Sequence, residues 1–157
     1  MPHDVETEAW VGLAGPLLGT VGALACYYGY RATGEPLLLA LAYAGFFLNL
    51  FNLIPVSPFD GGRITAILSQ RVWLLGAPIL VGVFLSSPSP LLILMAVLAA
   101  PQLMKAWKFD PKAPENAAYY SVAPAKRFEY ALYYVALAAF LGVMSYDVHE
   151  MLAAARR

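Results

Sequence analysis

The chain has 157 residues, of which 61% are apolar and 13% charged, with ten basic and ten acidic residues and a formal net charge of zero. An ordinary soluble domain is roughly a quarter charged, so this composition is that of a membrane protein, and without a basic excess it gives nucleic acid nothing to bind. One cysteine, Cys26, excludes an internal disulfide framework and any multi-cysteine metal site.

The first eight residues are acidic and lack the basic n-region of a secretory signal, so the first apolar run is expected to be a permanent span. That run, 9–30, carries no charge and exceeds the roughly 20 residues needed to cross a bilayer core. Gly12, Gly15, Gly19 and Gly22 include three-residue gaps that admit a neighbouring helix closely, and Pro16 is a candidate kink. A polar turn from Arg31 to Glu35 separates it from a second span over 36–56, with Pro36 suited to the first helical turn.

The helical part of that second span is expected to end near Leu53. Pro55 and Pro58 remove two backbone donors and disfavour helix in the residues before them, so 54–62 reads as irregular, with Gly61 and Gly62 allowing a sharp turn. Irregular backbone at membrane depth is tolerated where protein or a water-filled cavity surrounds it. Asn49 and Asn52 are three apart and share a helix face, where amides usually tie helices together. Asp60 is the residue to explain: a carboxylate at the end of an apolar run must be solvated, paired or bound to a metal. Pairing with Arg63 is the simplest account.

From Val72 to Met104 no residue is charged, but Ser86-Ser87-Pro88-Ser89-Pro90 breaks the run. A hairpin of two helices, 64–85 and 91–107, follows; each uncharged half is short, so flanking residues contribute or the hairpin is partly re-entrant. Residues 108–127 form a basic, proline-containing juxtamembrane loop. Trp107, Phe109, Tyr119, Tyr120, Tyr130, Tyr133 and Tyr134 suit an aromatic belt at the headgroups. The last span is 128–146. The expected fold is all-α: a single polytopic membrane helix bundle over 1–157, with about five transmembrane helices and one broken helix at the Asp-Gly motif.

Five spans put Arg63, Arg71, Lys105, Lys108, Lys112, Lys126 and Arg127 on one side and Arg31, Arg156 and Arg157 on the other. The positive-inside rule then orients the N-terminus, the Asp60 segment and the long loop toward the cytoplasm, as an integral protein of the plasma membrane.

Asn52, Pro55, Pro58 and Asp60-Gly61-Gly62 resemble the second signature of the site-2 protease family of intramembrane zinc metalloproteases, an Asn-x-x-Pro-x-x-Pro-x-Asp-Gly pattern, with Phe59 where Leu is usual. Ala14-Gly15-Pro16, expected near a helix start, resembles the Ala-Gly-Pro that follows that family's catalytic helix. Together the two matches cover about residues 8 to 64. The resemblance implies hydrolysis of peptide bonds in a transmembrane protein or peptide substrate within the lipid bilayer. It makes Asp60 the third zinc ligand beside the two histidines of a His-Glu-x-x-His helix, whose Glu is the general base, and places Asn52 to hydrogen-bond the substrate backbone or the developing oxyanion.

The sequence contains no His-Glu-x-x-His. The nearest string is His149-Glu150-Met151-Leu152-Ala153, with Ala at the second His position, and His3 completes the histidine supply. The expectation is therefore a C-terminal part of such a protease, whose His-Glu-x-x-His segment belongs upstream, with zinc bound only when that segment is present and no activity alone. Two rivals stand beside it: a non-catalytic membrane scaffold or partner-binding module of the same fold, and a small transporter with a midplane site, which predicts an internal repeat that the sequence lacks.

Overall fold

In the computed structural model the described residues are 4–110 and 113–155; His3, Lys112, Arg156 and Arg157 lie outside them. The first helix starts where Asp4 supplies a cap: its Oδ1 accepts the Thr7 N–H at 2.7 Å, with Glu6 and Glu8 in the positive first turn. Helix α1 runs over Val5–Thr33 and stops at Gly34, whose φ of 73° lets its N–H bond back to the Tyr30 carbonyl at 2.7 Å. Pro16 lies within α1, and the Thr20 hydroxyl donates to the Pro16 carbonyl at 2.6 Å.

Helix α2, Pro36–Asn52, opens with Pro36 and a Glu35 cap and ends three residues before Pro55. It returns antiparallel along α1: Gly45 faces Ala23, Asn49 faces Gly19, and Leu38 reaches Gly29. Residues 53–59 are irregular, with a cis Ser57–Pro58 bond. Short helix α3, Asp60–Ala66, packs across α1 and α7. A 3₁₀ turn over Gln70–Leu75 leads to α4, Gly76–Ser86; Ser89 caps α5, Pro90–Trp107; α6 is the single turn Pro114–Ala117; and α7 is Pro124–Ala155. No strand occurs among the described residues.

Three helices, Val5–Thr33, Pro90–Trp107 and Pro124–Ala155, are long and apolar enough to cross a membrane, and the stretches Pro36–Asn52 and Gln70–Ser86 are apolar but shorter. Two buried clusters hold the bundle. One gathers Val5, Val56, Phe59, Ile67 and Trp73; the other gathers Leu13, Leu39, Phe46, Leu53, Ile64 and Leu141. Leu18, Leu85 and Trp107, each about three-quarters exposed, belong to an apolar exterior much larger than water-soluble monomers tolerate.

Several expectations are corrected. Residues 64–85 do not form one helix: α3 ends at Ala66, and a 3₁₀ turn intervenes because the Trp73 indole N–H turns inward to the Gly62 carbonyl at 2.8 Å. The polar loop ends before 127, since Pro124 opens α7, where its missing N–H costs nothing. Ala14-Gly15-Pro16 lies well inside α1 rather than near its start. The aromatic belt is mostly an internal brace: Phe109 and Tyr130 are buried, and Tyr119, Tyr120 and Tyr134 bond inward, leaving Trp107 and Tyr133 exposed.

Candidate functional site

The glycine stripe on α1 organises the site. A Cβ at Gly12 would lie 2.8 Å from the Arg63 Cβ, one at Gly15 would lie 3.0 Å from Asp60 Oδ2, and one at Gly19 would lie 2.4 Å from the Asn49 amide. Two polar side chains from two different elements, Asn49 of α2 and Asp60 of α3, thus rest one helical turn apart on α1, where glycine leaves them room. Asn49 Nδ2 also donates to the Gly45 carbonyl at 2.8 Å, so it is held by its own helix while packed on its neighbour. Its role is helix tying, by shape rather than by an interhelical hydrogen bond.

The antiparallel register that sets Asn49 against Gly19 carries Asn52, one turn further, to the height of Gly15 and Pro16. Asn52 and Asp60 therefore share one level of the bundle. Asn52 closes α2, half-buried, and its side chain has no hydrogen-bond partner among the described residues. Gly15 is ten residues past the start of α1, so this level is about 15 Å along that helix. The carboxylate is inside the bundle's length, not at its end.

Asp60 begins α3, in the first turn where negative charge suits the backbone N–H groups. The field of Arg63 acts on it, but no contact ion pair joins the two; the ion pairs among the described residues are those of Lys126 with Glu6 and Glu129. Simple pairing with Arg63 therefore does not account for Asp60.

Gly61 and Gly62 serve a purpose other than a sharp turn. Both lie in α3 with ordinary backbone, and Gly34 is the positive-φ glycine. A Cβ at Gly61 would meet the Leu53 carbonyl oxygen at 2.2 Å, and one at Gly62 would meet the Ser57 nitrogen at 2.4 Å. Two bare backbones pack directly together, and this presses α3 into the irregular segment and fixes Asp60 beside α1. Thr65 completes the arrangement by donating its hydroxyl to the Gly61 carbonyl at 2.7 Å.

Tyr134 of α7, expected in an aromatic belt, instead donates its hydroxyl to the Leu53 carbonyl at 2.6 Å, fastening the end of α2. A tyrosine in an apolar helix carries no local sign of such a bond. Beside it, a cleft of about 310 Å³ opens between α2, α4 and α7, lined by Phe51, Pro55, Ile79 and Tyr134 among others.

A catalytic zinc takes three protein ligands and leaves a fourth position open. Among the described residues no group of three His, Cys, Asp or Glu side chains is placed to hold a metal. His149 is 15 residues beyond Tyr134 on α7, about 22 Å along the helix, and lies tilted against Tyr43 at 5.5 Å between ring centroids. It does not converge on Asp60. The described residues do not by themselves fit a zinc site; they offer it one carboxylate.

Part of the chain is similar to a known protease. Over 72 residues it is 39% identical to the zinc metalloprotease MJ0392 of Methanocaldococcus jannaschii, a match that covers 42% of this chain and 21% of that protein. The chain thus spans about a fifth of the relative it matches. No family model matches the chain, and no solved structure does.

Proposed function

We propose that this chain is the carboxylate-bearing, C-terminal part of a site-2-type intramembrane zinc metalloprotease, with the His-Glu-x-x-His segment supplied by polypeptide outside the 157 residues. The observation that carries the reading is the Asp60 carboxylate, set against Gly15 inside the bundle, level with Asn52 and without a contact ion pair. A carboxylate so placed supplies one of the three protein ligands that a catalytic zinc takes and leaves two to come from elsewhere. The partial likeness to a zinc metalloprotease supports the reaction class.

In this reading Asp60 contributes the third zinc ligand and Asn52 offers its free amide to an extended substrate backbone. The substrate is a transmembrane protein or peptide, reaching Asn52 by way of the apolar cleft along α2 and α7. The N-terminus and the Asp60 side of the bundle face the cytoplasm, and the five apolar stretches all lie within the plasma membrane.

Zinc analysis of purified protein tests this. The product of the complete natural reading frame should carry one zinc per chain and lose it on Asp60→Ala, while the 157-residue chain should carry none. A complete product without zinc would overturn the protease reading and leave the non-catalytic scaffold of the same fold.

A further inference from the structure

At the end of the bundle that holds the start of α1, a second polar feature stands apart from Asp60. A small pocket of about 120 Å³ is lined by Ile67, Leu68, Ser69, Phe109, Tyr120 and Arg127. Arg127 is half-buried, and its Nη2 donates to the Tyr120 carbonyl at 3.1 Å. Its Nε is buried with no hydrogen-bond partner among the described residues. Arg71 reaches the same rim: its backbone N–H donates to Ser69 Oγ at 3.2 Å and its Nη2 to the Phe109 carbonyl at 3.2 Å.

Neither arginine makes a contact ion pair with a carboxylate among the described residues. The contact ion pairs among the described residues belong to Lys126, and Glu8 accepts the Tyr119 hydroxyl. A buried, unpartnered guanidinium donor costs free energy comparable to a lost charged hydrogen bond, and arginine is seldom buried without a counter-charge. Arg127 lines the pocket, and Arg71 is anchored on two of its lining residues, Ser69 and Phe109, so two guanidinium groups lie about the site with no contact ion pair among the described residues. That calls for an anion with oxygen acceptors in a fork geometry, the group arginine recognises best.

We propose that this pocket binds a phosphate group. The exposed aromatics Trp107 and Phe128, 76% and 72% exposed, stand two residues before Phe109 and next to Arg127 in the chain, and such residues suit the headgroup level, so the phosphate is that of an anionic phospholipid or a free phosphate anion reaching the same groups. The inference is independent of the protease reading, since it involves neither Asp60 nor zinc.

The test uses the purified 157-residue chain in nanodiscs of pure phosphatidylcholine, in nanodiscs of three parts phosphatidylcholine to one part phosphatidylglycerol, and in detergent with inorganic phosphate. Native mass spectrometry counts what stays bound. Retained phosphatidylglycerol without phosphate binding identifies the lipid as the source; binding of inorganic phosphate identifies the free anion; either supports the site. Arg127→Gln should weaken retention by about tenfold, the loss of a charge-assisted fork, while Lys105→Gln, an exposed charge that does not line the pocket, leaves it unchanged. Equal loss in both variants, or no preference of the natural chain for phosphatidylglycerol or phosphate, overturns the proposal. If Arg127→Gln does not fold, Arg71→Gln decides: its side chain is exposed, and undiminished binding there is equally fatal.

Discussion

A methyl group on Gly15 would stand 3.0 Å from Asp60 Oδ2, so the shape of α1 at one residue decides where the carboxylate of α3 can rest. Alanine there gains about 1 kcal/mol of helix propensity and loses a comparable amount by crowding one movable carboxylate. Gly15→Ala should therefore leave unfolding of the detergent-solubilised chain within about 1 kcal/mol of the natural chain, whereas Gly15→Leu, too large for a small shift, should cost about 1–3 kcal/mol. Equal stability of the leucine variant would show that α3 does not rest on α1 at this point.

Gly61 has no movable neighbour. A Cβ there meets the Leu53 carbonyl oxygen at 2.2 Å and the Ile54 oxygen at 2.6 Å, both main chain. Gly61→Ala should destabilise by about 3 kcal/mol or more, at the upper end of overpacking effects. Gly22→Ala is the control: nothing lies within 4 Å of its added methyl, so it should stabilise by about 0.5–1 kcal/mol. Unfolding curves of the two variants in mixed micelles should move in opposite directions.

The contrast between these glycines shows what could be read beforehand. The break after α2 was legible, because Pro55 and Pro58 act through local sterics and α2 does end at Asn52. The small-residue stripe on α1 was legible as a packing face, but its occupants were not. That Gly15 meets Asp60 and Gly19 meets Asn49 depends on two other elements arriving in register. The 3₁₀ turn at Gln70–Leu75 was hidden for a similar reason: its residues suit a helix, and a bond from Trp73 to Gly62, 11 residues away, overrides them.

Tyr134 makes a bond of this hidden kind. Its hydroxyl holds the Leu53 carbonyl at the point where α2 gives way to irregular chain. Tyr134→Phe leaves that carbonyl, on a residue only 2% exposed, without its donor, and should cost about 1–2 kcal/mol. Hydrogen exchange should quicken across 53–59 while α5 is unaffected. A variant with unchanged stability and exchange would mean that the Gly61 contact alone fixes the segment.

The contact of Tyr119 with the start of α1 should respond to alkali. Tyr119 donates its hydroxyl to Glu8, and its carbonyl accepts the Val5 N–H at 3.3 Å. Burial first, and then the Glu8 carboxylate, push the Tyr119 hydroxyl well above the usual tyrosine range. The folded state thus keeps this proton after the unfolded chain, which titrates near 10, has begun to release it. Stability from this group is complete below that value and declines as the pH climbs from there toward the folded pKa. The thermal midpoint should hold steady between neutrality and about pH 9.5 and then fall. Tyr119→Phe should lower the plateau, because Glu8 loses its donor, and flatten the alkaline decline, because the proton at issue is gone. A decline equally steep in Tyr119→Phe would assign the alkaline sensitivity to another group.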